Sequence, residues 1–393
     1  MRVLCFNAGS SSLKVALIDV GATTVSRVVA GSSSFGPKLD GTLRLVDVAS
    51  GRVLIDGALS GDGAASRVVA AARAFCDALR DCGIEPPDAV GHRLVHGGPE
   101  QFAPLRLTRT ARARLEEAIP FAPLHLPAEL QVVDAAMCAY PDSPQVACFD
   151  TAFHATLPEV ARRLPVPMWA SEAGVKRYGF HGLSYEYASA RVGDKLDYAV
   201  IAHLGSGASM AAVHEGKSVD TTMGMSPSGG LMMGTRTGDL DPGVLVYLMD
   251  KKQWGARDVE RFVNHDTGLL GVSGTTSDMQ ALLAAREQDP CARLAVELFV
   301  YTAAKAVGSL AVGLGGLRTL VFTGGIGAHS AVVRAEIVGR LGLFGVSLDA
   351  EKNVAQAELI SAPGSSCAVH VIEADEELVV ARHVRSCLTD VKT

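Results

Sequence analysis

Two stretches of this chain combine small residues, hydroxyls and amides in the way an anion site does. The first is Asn7-Ala8-Gly9-Ser10-Ser11-Ser12-Leu13-Lys14, set between apolar runs, and it reads as strand, tight polar turn, strand. Small side chains let backbone N–H groups approach an anion, and the hydroxyls add donors. Lys14 supplies one positive charge just past the turn. The stretch suits a phosphate clasp, and it also suits an ordinary Gly/Ser hairpin turn. The second stretch, Tyr198 to Val213, repeats the pattern: Asn7-Ala8-Gly9-Ser10 falls on His203-Leu204-Gly205-Ser206, 196 residues further on. A repeat at that distance suggests two homologous halves. Two domains facing each other, each offering one such turn, would clamp a polyphosphate. A third Gly-rich loop, Gly324-Gly325-Ile326-Gly327-Ala328-His329, follows the apolar run Leu320–Phe322 and precedes a helix expected over 331–341. Strand, Gly-rich turn and helix N-terminus make an anion or nucleotide cradle, although many α/β proteins use such turns only for packing.

Charged residues at loop ends complete the inventory. Arg93 and Arg236 carry planar guanidinium forks suited to phosphate or carboxylate oxygens, or to a surface ion pair. His181 sits in the aromatic-Gly loop Tyr178-Gly179-Phe180-His181-Gly182, and His125 in a loop bracketed by Pro120, Pro123 and Pro127. Asp150, in the run 146–154, ends a buried strand, where an unpartnered carboxylate is costly.

The elements that must position these residues alternate. Short β-like runs at 24–30, 42–48 and 52–56 continue the opening hairpin as an antiparallel sheet. Helical spacing marks 63–82, 110–118, 128–139, 183–191 and about 375–387. The segment Ala303–Phe322 is the most apolar, but Lys305, several Gly and Arg318 interrupt it, so a helix followed by a buried strand is expected rather than a membrane span. With 393 residues, 48% hydrophobic and 41 glycines, an α/β chain of two to three domains is expected. The net charge of −6 argues against a nucleic-acid partner. The eight cysteines form no C-x-x-C pair and read as reduced thiols of a cytoplasmic protein. No signal peptide is expected, because the N-terminus leads straight into a strand.

In this order the motifs resemble the acetate kinase family, the acetokinase branch of the sugar kinase, Hsp70 and actin superfamily. The likeness rests on 7–14 and 203–209, together with His92-Arg93-Leu94-Val95-His96-Gly97-Gly98, Phe149-Asp150-Thr151-Ala152-Phe153-His154, Tyr178–Gly182, Met233-Gly234-Thr235-Arg236-Thr237-Gly238-Asp239 and Glu376-Glu377-Leu378. The resemblance implies two duplicated ribonuclease H-like α/β domains with an interdomain active-site cleft. It divides the chain into 1–149 plus 378–393 and 150–377. It implies a cytoplasmic homodimer that transfers phosphoryl between ATP and acetate with Mg²⁺ (Mn²⁺ as a substitute), giving acetyl phosphate and ADP.

Residue roles follow from the same likeness. Asp150, His181 and Arg236 would be catalytic. Arg93 would bind the carboxylate, with Val95, Leu124, Phe180 and Pro227 around its acyl group. Lys14 and His203, Leu204, Gly205, Ser206 and Gly207 would hold the phosphates, and Asp278, Met279, Gln280, Gly325, Ile326, Gly327, Ala328 and His329 the nucleoside side. Asn7 and Glu376 would meet the metal, with Glu377 an alternative one place on. The chain departs from the family at Ser206 (usually Asn), Gln280 (Arg), Ala328-His329 (Glu-Asn), Leu126 (Asn) and Ser228-Gly229 (Leu-Glu). Three of these touch the nucleotide side, so a propionate or butyrate kinase, a pyrophosphate-using variant and a non-catalytic nucleotide-binding relative are the alternatives. An apolar acyl pocket separates acids weakly, at about 1–3 kcal/mol per methylene.

Overall fold

The computed structural model describes residues 1–9, 12–34, 41–59 and 64–389. Ser10 and Ser11 of the first turn lie outside the described residues. The chain divides into two compact units, Met1–Ala152 with Asp375–Thr393, and Phe153–Ala374. Asp150, Glu376 and Glu377 therefore belong to the first unit.

The first unit holds strands β1 (Arg2–Ala8), β2 (Ser12–Val20), β3 (Val25–Ser34), β4 (Gly41–Asp47), β5 (Val53–Leu59), β6 (Ala89–Leu94), β7 (Leu105–Leu107) and β8 (Gln145–Phe149). Their order is β5-β4-β3-β2-β1-β6-β8-β7. The meander β1 to β5 is antiparallel, and β6 and β8 add in parallel. Both faces are covered, which explains the almost unbroken apolar runs of β1 and β8. The helices Ala64–Asp81 and Leu126–Ala139 pack on each other and bury Val68, Phe75 and Val132 with Leu4, Phe6 and Leu17 of the sheet. The C-terminal helix Glu376–Thr389 packs on β1, β2, β6 and β8. Gly91 permits this: a Cβ there would lie 2.5 Å from Val380 and 2.7 Å from Val384.

The second unit holds β9 (Ala199–Leu204), β10 (Ala208–His214), β11 (Lys217–Thr221), β12 (Thr319–Thr323) and β13 (Ala368–Val371), ordered β11-β10-β9-β12-β13. This repeats the sequence β3-β2-β1-β6-β8 of the first sheet, with three antiparallel strands followed by two parallel ones. The repeat seen in the turns thus extends to whole sheets. The helix Pro290–Leu314 starts at the Asp289 cap and stops at Gly315 in the left-handed region. Among the described residues it alone is long and apolar enough to cross a membrane. Here it packs on β9, β10 and β11 and buries Ala295, Phe299, Ala303 and Val307.

The buried strand expected to end on Asp150 is β8, which ends at Phe149, and Ala152–Thr156 beyond it is a short 3₁₀ helix. Two local expectations change. The proline-bracketed segment is not an open loop. Pro120 lies within a 3₁₀ helix, Leu115–Phe121, and Pro127 stands in the first turn of the helix that begins at Leu126, where its missing N–H costs nothing. The third Gly-rich segment is itself helical, Gly324–His329, and Ser330 then caps a second helix, Ala331–Val338.

Candidate active site

In the first unit the site residues gather at the C-terminal ends of β1, β6 and β8. Asn7 lies opposite Lys14 on β2 and beside Arg93 on β6. Arg93 is the hub. Its Nε donates to one Asp150 oxygen at 3.1 Å and its Nη2 to the other, a two-point clamp. Its Nη1 donates to the Ala8 carbonyl at 2.8 Å and lies 3.4 Å from Glu129. Burial opposes the Arg93 charge, but the Asp150 and Glu129 carboxylates outweigh it and hold the proton more tightly than usual. Asp150 is 1% exposed and Glu129 2% exposed, so both acids depend on this cation.

Glu129 was not anticipated from the sequence. It accepts the Val95 N–H at 2.8 Å, and its burial pushes its pKa up to about 7 against the pull of Arg93. Its one sequence signal is an acid in the first turn of the helix, four residues past His125. Val95 is buried, and Leu124 is half-buried just ahead of that helix.

Asn7 directs its amide nitrogen at both glutamates of the C-terminal helix, 2.9 Å to Glu376 and 2.8 Å to Glu377. Its amide oxygen therefore faces away from them. Glu377 uses its second oxygen on Arg27, 3.5 Å away, and Arg27 also binds Asp375 at 2.6 Å. Burial raises the Glu376 pKa; the Arg93 charge opposes the rise, and Asp150 and Glu377 add to it. Asn7 and Glu376 would offer oxygens of the kind Mg²⁺ takes, with few protein ligands and several waters, once the Asn7 amide turned its oxygen toward Glu376. No group of three or more His, Cys, Asp or Glu is placed to hold a metal among the described residues.

In the second unit the phosphate-type residues meet around the turn between β9 and β10. His181 caps the helix Gly182–Val192 in the left-handed region, at φ 59° and ψ 23°. Gly179, at φ 72°, leaves room for the His154 ring, which a Cβ there would meet at 2.5 Å. His154 bonds the Phe180 carbonyl at 3.1 Å and Ser218 at 2.8 Å, and burial lowers its pKa to about 4, so it stays neutral. With this backbone fixed, the His181 ring stacks on His203, with centroids 4.2 Å apart. His181 Nδ1 pairs with Ser209 at 2.8 Å, and His203 Nδ1 pairs with Ser184 at 2.8 Å.

A Cβ on Gly207 would lie 3.3 Å from His181 Nε2 and 3.7 Å from Arg236 Nη1. A ring nitrogen and a guanidinium nitrogen thus converge beside a glycine, an arrangement that suits an oxyanion when both are protonated. Arg236 also donates to the Pro227 carbonyl at 3.1 Å, which brings Pro227 to the same place. The turn touches the Gly-rich helix, since a Cβ on Gly205 would lie 3.6 Å from the Gly325 nitrogen, and one on Gly324 would strike the Leu204 carbonyl at 2.7 Å. Residues 203–207 and 325–329 are therefore contiguous. Asp278 is less available than expected: its carboxylate caps the helix Met279–Ala285 by accepting from Gln280 and Ala281. Met279 is buried, Gln280 is exposed, Ala328 is buried and His329 is exposed.

The first unit thus holds a buried guanidinium clamped by acids, and the second a histidine and an arginine converging at a Gly turn. Comparison with known proteins shows which family carries them. The acetokinase family profile matches residues 2–382. An acetate kinase of Rhodopseudomonas palustris is 48% identical over 304 residues, 75% of this chain and 76% of that protein. An acetate kinase of Deinococcus deserti is 42% identical over 99% of this chain and 98% of its own length. The crystal structure of an acetate kinase from Porphyromonas gingivalis aligns with TM-score 0.85 at 35% identity, covering 99% of this chain and 100% of that one. That of a propionate kinase from Francisella tularensis aligns with TM-score 0.88 at 33% identity, covering 97% and 98%. The chain belongs to the acetokinase family and is a phosphotransferase acting on a carboxyl group.

Proposed function

We propose that this protein catalyses reversible Mg²⁺-dependent phosphoryl transfer between ATP and acetate, giving acetyl phosphate and ADP. The observation that carries the reading is the pair His181 Nε2 and Arg236 Nη1 converging beside Gly207. A loose phosphoryl-transfer transition state spreads charge over its equatorial oxygens, and catalysis is mostly positioning and cationic stabilisation. Arg236 and His181 meet those oxygens. Arg93, oriented by Asp150, binds and aims the carboxylate. One acetate oxygen forms the new P–O bond while the bond from the γ-phosphorus to the β,γ-bridging oxygen breaks, and ADP leaves with that electron pair. Lys14 and the turn 203–207 hold the nucleotide phosphates, and 278–280 with 325–329 meet the nucleoside. Asn7 and Glu376 would hold Mg²⁺ together with waters, and the ion would supply further charge neutralisation.

The test is hydroxamate trapping of acyl phosphate with acetate, propionate or butyrate, each with ATP or pyrophosphate. Acetate with ATP is expected to give the highest kcat/KM. No acyl phosphate from any pair defeats the enzyme reading, and preference for propionate or pyrophosphate transfers it to that substrate.

We also infer a cytoplasmic homodimer. All eight cysteines are free, which suits a reducing compartment. The helix Pro242–Lys252 buries no residue in this chain, yet Val246 and Tyr247 are 67% and 64% exposed. A second copy covering that face accounts for both. Sedimentation should give a dimer, and Tyr247→Asp a monomer; a wild-type monomer refutes it.

A further inference from the structure

The placement of His181 raises a question that stacking and backbone geometry leave open: which ring nitrogen carries the proton. Its Nε2 faces the Gly207 spot, so the donor there exists only if that nitrogen is protonated. The opposite nitrogen, Nδ1, meets Ser209 Oγ at 2.8 Å. Ser209 lies on β10 and is fully buried. Its hydroxyl also bonds the Tyr185 hydroxyl. Tyr185 is fully buried one turn into the helix that His181 caps, with its ring against Phe153 and His154 at 5.7 and 5.6 Å.

We propose that Tyr185 and Ser209 are positioning residues that set the tautomer of His181, so that it presents an Nε2–H donor to the transferring phosphoryl group. Ser209 has one proton to give. A phenol is more acidic than an aliphatic hydroxyl and is the better donor of the two, so the Tyr185 O–H points at Ser209 Oγ. The Ser209 proton is then left to donate to Nδ1. Bonds aligned in one direction polarise each other and favour that arrangement over its reverse. Nδ1 becomes an acceptor, and the ring proton resides on Nε2. Flipping the ring would forfeit the Nδ1–Ser209 bond, which holds this orientation. Ser209 falls inside a family motif but carried no assigned role, and Tyr185 had none. This proposal rests on the reading of His181 as the residue facing the phosphoryl group.

The experiment uses the full-length protein labelled with ¹⁵N-histidine. Long-range ¹H–¹⁵N spectra report the tautomer of each ring, and the signal lost in His181→Gln identifies His181. Two variants are compared with wild type. Tyr185→Phe removes one oxygen and keeps the ring, and Ser209→Ala removes the middle of the relay. Wild type is expected to show Nε2–H, and Ser209→Ala and Tyr185→Phe a mixture with Nδ1–H. Turnover in acyl phosphate formation should fall about tenfold in each with both KM values within about twofold, the pattern of an interaction made only in the transition state. Melting curves identify a variant that fails to fold, in which case the other decides. An unchanged tautomer in a folded variant overturns the proposal, as does a changed tautomer with unchanged kcat. The spectra are taken without turnover, so they stand apart from the reaction assay: failure of wild type to make acyl phosphate refutes the functional reading and leaves the tautomer measurement intact.

Discussion

Replacing Glu129 by Gln tests the electrostatics around Arg93 directly. Glu129 is buried, accepts the Val95 N–H, and lies 3.4 Å from Arg93 Nη1. Its pKa is raised from 4.5 to about 7, chiefly because burial disfavours the charged form. The folded protein therefore holds this proton more tightly than the unfolded chain does. Between pH 4.5 and about 7 the folded state binds more protons, so this group's contribution to stability falls as pH rises across that window. A shift of that size corresponds to about 3 kcal/mol, at about 1.4 kcal/mol per unit. Glu129→Gln abolishes the titration while keeping an oxygen that can accept from Val95. The variant carries a pH-independent offset of its own, because a Gln amide beside Arg93 adds a donor facing a donor.

The informative quantity is thus the wild-type-minus-variant difference as a function of pH. Urea unfolding followed by circular dichroism should show it drifting by about 3 kcal/mol against wild type from pH 4.5 to 7, and flat above. The carboxyl ¹³C signal that disappears in the variant should titrate near 7. Function should follow: once Glu129 ionises, another negative charge competes with acetate for Arg93. The KM for acetate should climb through pH 7 more steeply in wild type than in Glu129→Gln, a comparison that cancels the titration of ATP itself. Parallel KM profiles together with a carboxyl midpoint near 4.5 would refute the reasoning.

Two further perturbations probe the remaining parts of the site. Gly207→Ala places a methyl 3.3 Å from His181 Nε2, where the transferring oxygens belong, and should lower kcat about a hundredfold with an unchanged melting temperature; retained turnover would remove that spot from the chemistry. Glu376→Gln should weaken Mg²⁺ binding, read by calorimetry with ADP present, about tenfold, whereas Glu377→Gln should weaken it less, because the Glu377 oxygens are already used by Asn7 and Arg27. Equal losses would make both glutamates ligands.

The sequence carried the paired hairpins, the ends of the strands and the arginine, histidine and acid that sit on them, because apolar runs and Gly turns are local signals. It did not carry Glu129, Tyr185 or His154. Each acts through a partner remote in sequence: Glu129 through Arg93, 36 residues away, Tyr185 through Ser209, 24 away, and His154 through the Phe180 carbonyl, 26 away. Backbone set by packing is hidden in the same way: Gly324–His329 forms a helix against the Leu204 carbonyl where the sequence predicts a loop.

The duplication explains both the success and the limit. Asn7 and His203 occupy equivalent places at the ends of the central strands β1 and β9. Each stands in register with an antiparallel partner, Lys14 or Ser209, and with a parallel one, Arg93 or Thr323. The position is the same in both halves, but the chemistry is not. In the first half the parallel neighbour is the arginine proposed to hold the carboxylate, and Asn7 turns to the glutamates of the C-terminal helix. In the second half the parallel neighbour is a buried threonine that leads into the Gly-rich helix, and His203 supports the ring of His181. A repeated fold therefore fixes where reactive groups stand, at the carboxyl ends of two strand sets. What each group does is fixed by side chains that the repeat does not share, and those had to be read from the packing around them.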